Sequence, residues 1–477
     1  MRSALSLIVL LLAGGTASAQ AERYELGQRL KAFEKQWDKT ADDKLRKKAA
    51  AKLPALTGLF FANKFGEAGR TLDEARWILE GKEPSDDEKW AQSLYAVPES
   101  KFFEPGVSEW SVGIKSFYTA RGEMPKGLAV ILEVSGYVER TAATLDKLPV
   151  KLTLKKVPIP NVYVCGDVPM TVEVRIGERP ITARTIGVSV GSDFSERFAA
   201  GKELLAKAKK GLVADSLEWA SALNRIEAIT ELSKGAVQET DIPAGRWIRE
   251  LLEMIALGEK SKPFFTPDRA GDFWLTIPTG KTRTPARLFV PKGLDSNKPV
   301  PIVVALHGAG GSENLFFEGY GDGQIVKLCE KRGWMLLAPR SALSFVGGGP
   351  PVGELVDALA KRYPIDPKAV FVVGHSMGAM QTIDAAQKYP GKFAGIAAFG
   401  GGGVVRKPEA FAELPTFVGV GDKDFALPMA RTLKKSLADG GAKAVTYKEY
   451  EGLEHLLICR EALPDAFAVF DAVVGRK

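Results

Sequence analysis

The apolar run Ala369-Val370-Phe371-Val372-Val373 leads into Gly374-His375-Ser376-Met377-Gly378, and a segment of helical spacing follows. A serine set this way between a strand and a helix sits on a tight turn. Its Oγ then projects from the top of a sheet, where a substrate can reach it. The flanking glycines answer a steric demand, because a Cβ at either position would meet the neighbouring strand or the following helix.

The sheet that this turn requires can be traced on both sides of it. Residues 273–277 and 287–290 form a candidate hairpin, and apolar strands follow at 302–306, 335–338, 395–399, 416–420 and 444–450. Segments able to form helices lie between most of them. Near-continuous apolar strands alternating with helices predict a mainly parallel sheet covered on both faces.

A serine hydroxyl is a weak nucleophile at neutral pH and needs a general base held by an orienting partner. The chain has three histidines: His307, His375 and His455. His375 lies inside the turn and is expected to point away from the serine Oγ, while His307 opens a glycine-rich loop and is read as structural. His455 follows the last strand, in Glu451-Gly452-Leu453-Glu454-His455, where a base can approach from a loop. The base is therefore assigned to His455. The acid should stand between serine and histidine after a late strand. Gly421-Asp422-Lys423-Asp424 offers two carboxylates there. Asp424, just ahead of a helix start, is the first choice, and Asp422 would shape the turn.

The developing oxyanion needs N–H donors. Met377 supplies one amide, and Ala309 or Gly308 in His307-Gly308-Ala309-Gly310-Gly311 supplies the other. That glycine run lacks both a following Lys-Ser/Thr and a G-x-G-x-x-G pattern, which argues against a nucleotide site. The chemistry requires no metal and no cofactor.

From about Phe273 to the C-terminus the chain resembles the α/β-hydrolase superfamily. Within it, the likeness is to feruloyl esterase and polyhydroxybutyrate depolymerase-like exported esterases. It is carried by Pro301-Ile302-Val303-Val304-Ala305-Leu306-His307-Gly308-Ala309-Gly310-Gly311, by Tyr363-Pro364-Ile365-Asp366-Pro367, by residues 370–378, and by Tyr389-Pro390-Gly391-Lys392-Phe393-Ala394-Gly395. The resemblance implies an α/β-hydrolase domain, a Ser376, Asp424, His455 triad and hydrolysis of acyl esters. Two departures leave the substrate open. Met377-Gly378-Ala379 stands where those esterases often carry Asn-Gly-Gly, and the segment after the strand at residue 335 is short. Residues 400–414 leave no room for the lid that lipases place there, so the rim of the cleft falls to the glycine-rich loop 341–351, which can move. An open cleft suits a bulky or polymer-attached ester better than a buried lipid chain.

A chain of 477 residues is too long for one ordinary domain. Residues 1–19 read as an export signal, with Arg2, an apolar run at 4–13 and the cleavage site Ala17-Ser18-Ala19 before Gln20. The run is too short to span a bilayer comfortably, so the expectation is a periplasmic or extracellular protein with no integral membrane segment after cleavage. Residues 20–100 are helical in pattern. Residues 101–194 shift towards period two, as in a small all-β sandwich, and 195–262 are helical and end in a linker from residue 260. Residues 263–477 then form the catalytic domain. The net charge of +7 is spread along the chain, without the basic and aromatic concentration that nucleic acid requires. Cys165, Cys329 and Cys459 are too few for a disulfide scaffold, fit no zinc site and are read as buried thiols.

These features together predict an exported serine hydrolase that cleaves carboxylic esters through an acyl-enzyme. Two other readings stand beside it. A serine peptidase of the prolyl-oligopeptidase type would bring a β-propeller with internal repeats, which the sequence does not display. A binding protein with a decayed hydrolase fold would have lost one of the three triad residues. Residues 20–262 hold no recognisable chemical site; they could bind a polysaccharide, a surface or a partner, or serve as a spacer or a cover for the cleft.

Overall fold

The structure, a computed structural model, describes residues 17–104, 109–134, 138–154, 166–191, 194–207, 216–233, 240–280, 282–341 and 349–475. Outside them lie the charged start and apolar run of the expected export signal, Cys165, Leu212 and most of the loop 341–351.

The chain opens with α1 (Ala17–Lys39), α2 (Asp43–Ala50), α3 (Leu56–Phe61), α4 (Phe65–Leu79) and α5 (Asp86–Ser93). Apolar residues at three- and four-residue spacing give α1 and α4 one sticky face each, and these meet through Leu26, Phe33 and Trp37 against Leu72, Ala75 and Leu79. A capping box between Ser85 and Glu88 starts α5, which runs directly into the first strand.

The strands that follow are β1 (Leu94–Pro98), β2 (Phe102–Phe103), β3 (Trp110–Ser116), β4 (Leu128–Val134), β5 (Val138–Thr144), β6 (Val150–Leu154), β7 (Gly166–Ile176) and β8 (Arg179–Val190). They form two sheets, in the orders β1-β3-β6 and β2-β8-β7-β4-β5. Val112, Ile114 and Leu152 of the first share one core with Val130, Leu132 and Val172 of the second, so the two sheets make a sandwich. Nothing in this arrangement resembles propeller blades.

Helices α6 (Phe194–Lys207), α7 (Leu217–Ser233) and α8 (Ala244–Glu259) lead to the C-terminal sheet. Its elements are β9 (Gly271–Thr279), β10 (Thr282–Val290), β11 (Val300–Leu306), α9 (Leu315–Glu318), α10 (Tyr320–Arg332), β12 (Met335–Pro339), α11 (Val352–Ala360) and β13 (Ile365–His375). They continue with α12 (Met377–Lys388), β14 (Gly395–Phe399), β15 (Thr416–Gly421), α13 (Leu427–Asp439), β16 (Val445–Tyr450) and α14 (Ile458–Val474). The eight strands run in the order β16-β15-β14-β13-β11-β12-β10-β9. All neighbours from β16 to β12 pair in parallel, and β10 and β9 close the edge as an antiparallel hairpin.

Successive strand residues face opposite sides. Val304 and Val372 therefore pack with Leu355, Ile383 and Leu433 of α11, α12 and α13, whereas Val303, Phe371 and Val373 pack with Ile325 and Phe467 of α10 and α14. Cys329 and Cys459 are free thiols buried in this second core. No helix of the described residues is long and apolar enough to cross a membrane.

One expectation needs correcting. The stretch 260–271 is not a linker between separate units. Phe264 and Phe265 are 0% and 1% exposed, and they sit in one core with Leu251 and Met254 of α8 and with Phe273, Leu275 and Leu288 of the edge hairpin. Its prolines and serine gave it a loop-like composition, while the two adjacent phenylalanines bolt the preceding helices onto the sheet. Glu218 of α7 accepts the Phe264 N–H at 3.1 Å, which satisfies a backbone donor that burial would otherwise strand. Phe264→Ala is therefore expected to cost about 3–5 kcal/mol in chemical denaturation, as for a core aromatic; a loss below about 1 kcal/mol would restore the linker reading.

Candidate active site

The turn at Ser376 is as tight as its glycines imply. Ser376 has φ 57° and ψ −114°, a region that costs a residue with a Cβ of order 1–3 kcal/mol and persists only where the surroundings enforce it. The enforcement is visible. A Cβ on Gly374 would lie 2.1 Å from the Gly378 carbonyl oxygen, and one on Gly378 would lie 1.9 Å from that of Leu306. The Ser376 N–H donates to Phe399 O at 2.9 Å, tying the turn to the end of β14. Met377 opens α12, so its N–H belongs to the first helical turn, where no intrahelical acceptor exists.

His455 lies on the loop between β16 and α14. Its Nδ1 is 2.8 Å from Asp424 Oδ1, and both side chains are almost wholly buried. Asp424 Oδ1 also accepts the Ala426 N–H at 2.7 Å, which fixes the carboxylate against the start of α13. Asp422 does something else: it accepts the Gly452 N–H at 2.7 Å and so braces the loop that carries His455. Of the two carboxylates, Asp424 alone is hydrogen-bonded to the imidazole.

His375 is turned away from the serine and holds the other histidine in place. Its Nε2–H donates to the His455 carbonyl at 2.9 Å, and its Nδ1 accepts the Tyr320 hydroxyl at 2.7 Å. Burial, reinforced by the neighbouring His455, keeps it well below the ordinary imidazole value and therefore neutral. Tyr320 went unnoticed in the sequence. The only trace of its role is the glycine-rich stretch around it, where Gly321, Asp322 and Gly323 all adopt positive φ and turn the chain sharply beneath the hydroxyl.

The glycine loop after β11 lies against Ser376. A Cβ on Gly308 would be 3.3 Å from Ser376 Cβ. Within the loop the Gly311 N–H donates to Gly308 O at 3.1 Å, and Gly310 sits at φ +82°. His307 serves this loop: its Nδ1 lies 2.8 Å from Gly308 O and its Nε2 accepts the Ser341 N–H at 2.9 Å. Ala309 therefore occupies the middle of a turn held from both ends.

Ser376, His455 and Gly308 line a cavity of about 710 Å³ whose other wall comes from the N-terminal part, including Arg23, Tyr24 and Phe60. One side of the cleft is thus built from residues far upstream, which the short segment at 400–414 gave no sign of. On the flank of His455, the Phe425 ring lies 4.3 Å from the imidazole by centroids and is 55% exposed, with Met429 one turn further along. Glu454, beside the imidazole, is fully buried. Its Oε1 accepts the N–H groups of Leu456 and Leu457 at 3.0 and 3.1 Å, and burial pushes its carboxyl up to about 8. Among the described residues no cluster of His, Cys, Asp and Glu could hold a metal ion.

The comparisons with known proteins fall on this same part. Residues 350–468 match the family model described as Phospholipase/Carboxylesterase. A probable acetylxylan esterase A of Aspergillus clavatus is 31% identical over 129 residues, covering 24% of this chain and 40% of the relative. Feruloyl esterase B of Thermothelomyces thermophilus is 30% identical over 129 residues, covering 24% and 43%. The chain thus spans less than half the length of these relatives. A solved structure of a thermostable esterase aligns over 80% of this chain and 99% of its own at 16% identity, with a TM-score of 0.40, too low to argue from. The C-terminal part of this chain has the α/β-hydrolase fold.

Proposed function

We propose that the protein is an exported serine esterase that hydrolyses acetyl or feruloyl esters on a carbohydrate, the ester classes named in its relatives. The observation that carries the reading is the 2.8 Å contact of buried His455 with Asp424, on a cavity that the strained Ser376 also lines. Ser376 Oγ attacks the ester carbonyl while His455 Nε2 takes its proton. Asp424 holds the Nδ1–H tautomer and stabilises the imidazolium. The tetrahedral oxyanion is received by the N–H groups of Met377 and of Ala309 or Gly308, each worth roughly 3 kcal/mol at the transition state. Collapse expels the alcohol, which takes the proton from His455. Water then attacks the acyl-enzyme with His455 again as base, and the acid leaves. The signal-like residues 1–19 support export, and Phe425 offers a planar surface to an aromatic acyl group.

Labelling with a fluorophosphonate probe tests the nucleophile: wild type should label and Ser376→Ala should not. If neither labels in a folded protein, the esterase reading fails. Asp424→Asn is expected to lower kcat by roughly three to four orders of magnitude through loss of the correct tautomer, while Asp422→Asn keeps most of it. Equal losses would mean that the acid role had been given to the wrong residue.

Phe425→Ala should raise KM for a feruloyl ester about two- to tenfold and leave an acetyl ester unchanged, as expected for loss of one aromatic contact. A matching effect on both substrates would remove Phe425 from the acyl site.

The buried Glu454 makes a prediction about pH. Its folded value of about 8 lies above the unfolded value of 4.5, so the folded state binds the proton more tightly. The associated stability is fully present below about pH 4.5 and is lost as pH rises through 8. Glu454→Gln, which keeps a carbonyl for the two amides, should therefore show a shallower fall in thermal midpoint between pH 5 and pH 9. Parallel curves for variant and wild type would count against a protonated Glu454.

A further inference from the structure

Helix α1 touches two of the loops that build the proposed site, through two side chains on one of its faces. The Arg23 guanidinium donates to the Gly310 carbonyl and lies over the Phe60 ring, 5.7 Å from its centroid. Phe60 itself closes on the loop, since a Cβ on Gly310 would be 3.2 Å from its ring edge. Three helical turns along the same face, Glu34 Oε2 accepts the Gly321 N–H at 3.1 Å, next to Tyr320, whose hydroxyl holds His375 and through it His455.

The Arg23 contact has a specific geometric effect. The peptide plane joining Gly310 to Gly311 is gripped at both of its polar atoms. Its carbonyl is held by Arg23, and its N–H by Gly308 O at 3.1 Å. A left-handed glycine with no Cβ would otherwise be the freest point of the loop. With that plane fixed, the turn from Gly308 to Gly311 is fixed, and so is the direction of the Ala309 amide inside it. Packing alone could have docked α1 on the sheet. A guanidinium aimed at the carbonyl of a φ +82° glycine does more than dock.

We infer that Arg23 is a positioning residue for the oxyanion loop, and that α1 is a working part of the active site. This rests on the esterase reading above. Substrate meets Ala309 and Met377; Arg23 also lines the cavity wall, and its effect on the reaction runs through the loop it holds. Donors aimed at the developing charge lose their value when displaced, and an error of about 1 Å can cost 10²-fold in rate.

The test compares wild type, Arg23→Met and Arg23→Lys in turnover of p-nitrophenyl acetate, with thermal midpoint and pH profile measured alongside. Arg23→Met should lose roughly ten- to a hundredfold in kcat, with KM and the pH midpoint of kcat/KM unchanged, because His455 and its partners are untouched. Arg23→Lys, which can still donate to Gly310 O, should recover part of the loss. If Arg23→Met does not fold, Arg23→Gln is read by the same criteria. A folded variant with wild-type kcat overturns the inference alone. So does a kcat loss matched by a fall in thermal midpoint that lysine does not repair, since that is mere docking. A wild type that neither labels with fluorophosphonate nor turns over the ester removes the esterase reading, and this inference with it.

Discussion

The 1.9 Å that would separate a Cβ on Gly378 from the Leu306 carbonyl is the constraint around which the rest of the site is arranged. It lets α12 start hard against β11, and that closeness drives Ser376 into positive φ. The parallel register does the rest. Leu306 pairs with Gly374, His375 with Phe399, Phe399 with Gly419 and Gly421 with Tyr450. The C-terminal ends of β11, β13, β15 and β16 therefore share one edge, and the loops leaving that edge carry the glycine run, the serine, Asp424 and His455. Ligands in open α/β sheets bind at such an edge because every strand delivers a loop to it.

The polar groups under the site are buried, and each is committed to a partner of its own. His375 is neutral and spends both nitrogens on Tyr320 and the His455 carbonyl. His307 spends both of its nitrogens on the glycine loop and Ser341. Glu454, lifted to about 8 by burial, is uncharged at neutral pH, so it does not rival Asp424 for the imidazole. The result is one carboxylate, Asp424, facing one imidazole, His455. A buried site with several charged neighbours could not hold that state without large cost.

Legibility in the sequence followed the range of the forces involved. The strands at 302–306 and 370–373 announce themselves by continuous apolar residues, and the turn by its glycines, because both depend on neighbours a few residues away. With so few histidines, His455 could be assigned by elimination. Asp422 and Asp424 could not be separated with certainty from composition, since the choice lies in which of them meets a loop some thirty residues later. Arg23 and Glu34 left no mark, and Tyr320 only the glycines around it. Arg23 and Gly310 are 287 residues apart, and one arginine among the charged residues of an amphipathic helix carries no pattern. Phe264 and Phe265 were misread for a related reason: two aromatics amid proline and serine have no period, although they fill a core.

The packing of α1 against α14 carries a cost in time. Trp37 Nε1 donates to Glu461 at 3.2 Å across 424 residues of chain, and Arg460 reaches Asp38 from the same helix. Until α14 docks, Leu26, Phe33 and Trp37 of α1 have only α4 and its neighbours to cover them. Contacts of such long sequence separation slow folding and prolong the exposure of apolar surface. Closure of the cleft therefore waits on a contact between α1 and α14 that spans 424 residues of chain, the slowest kind to find.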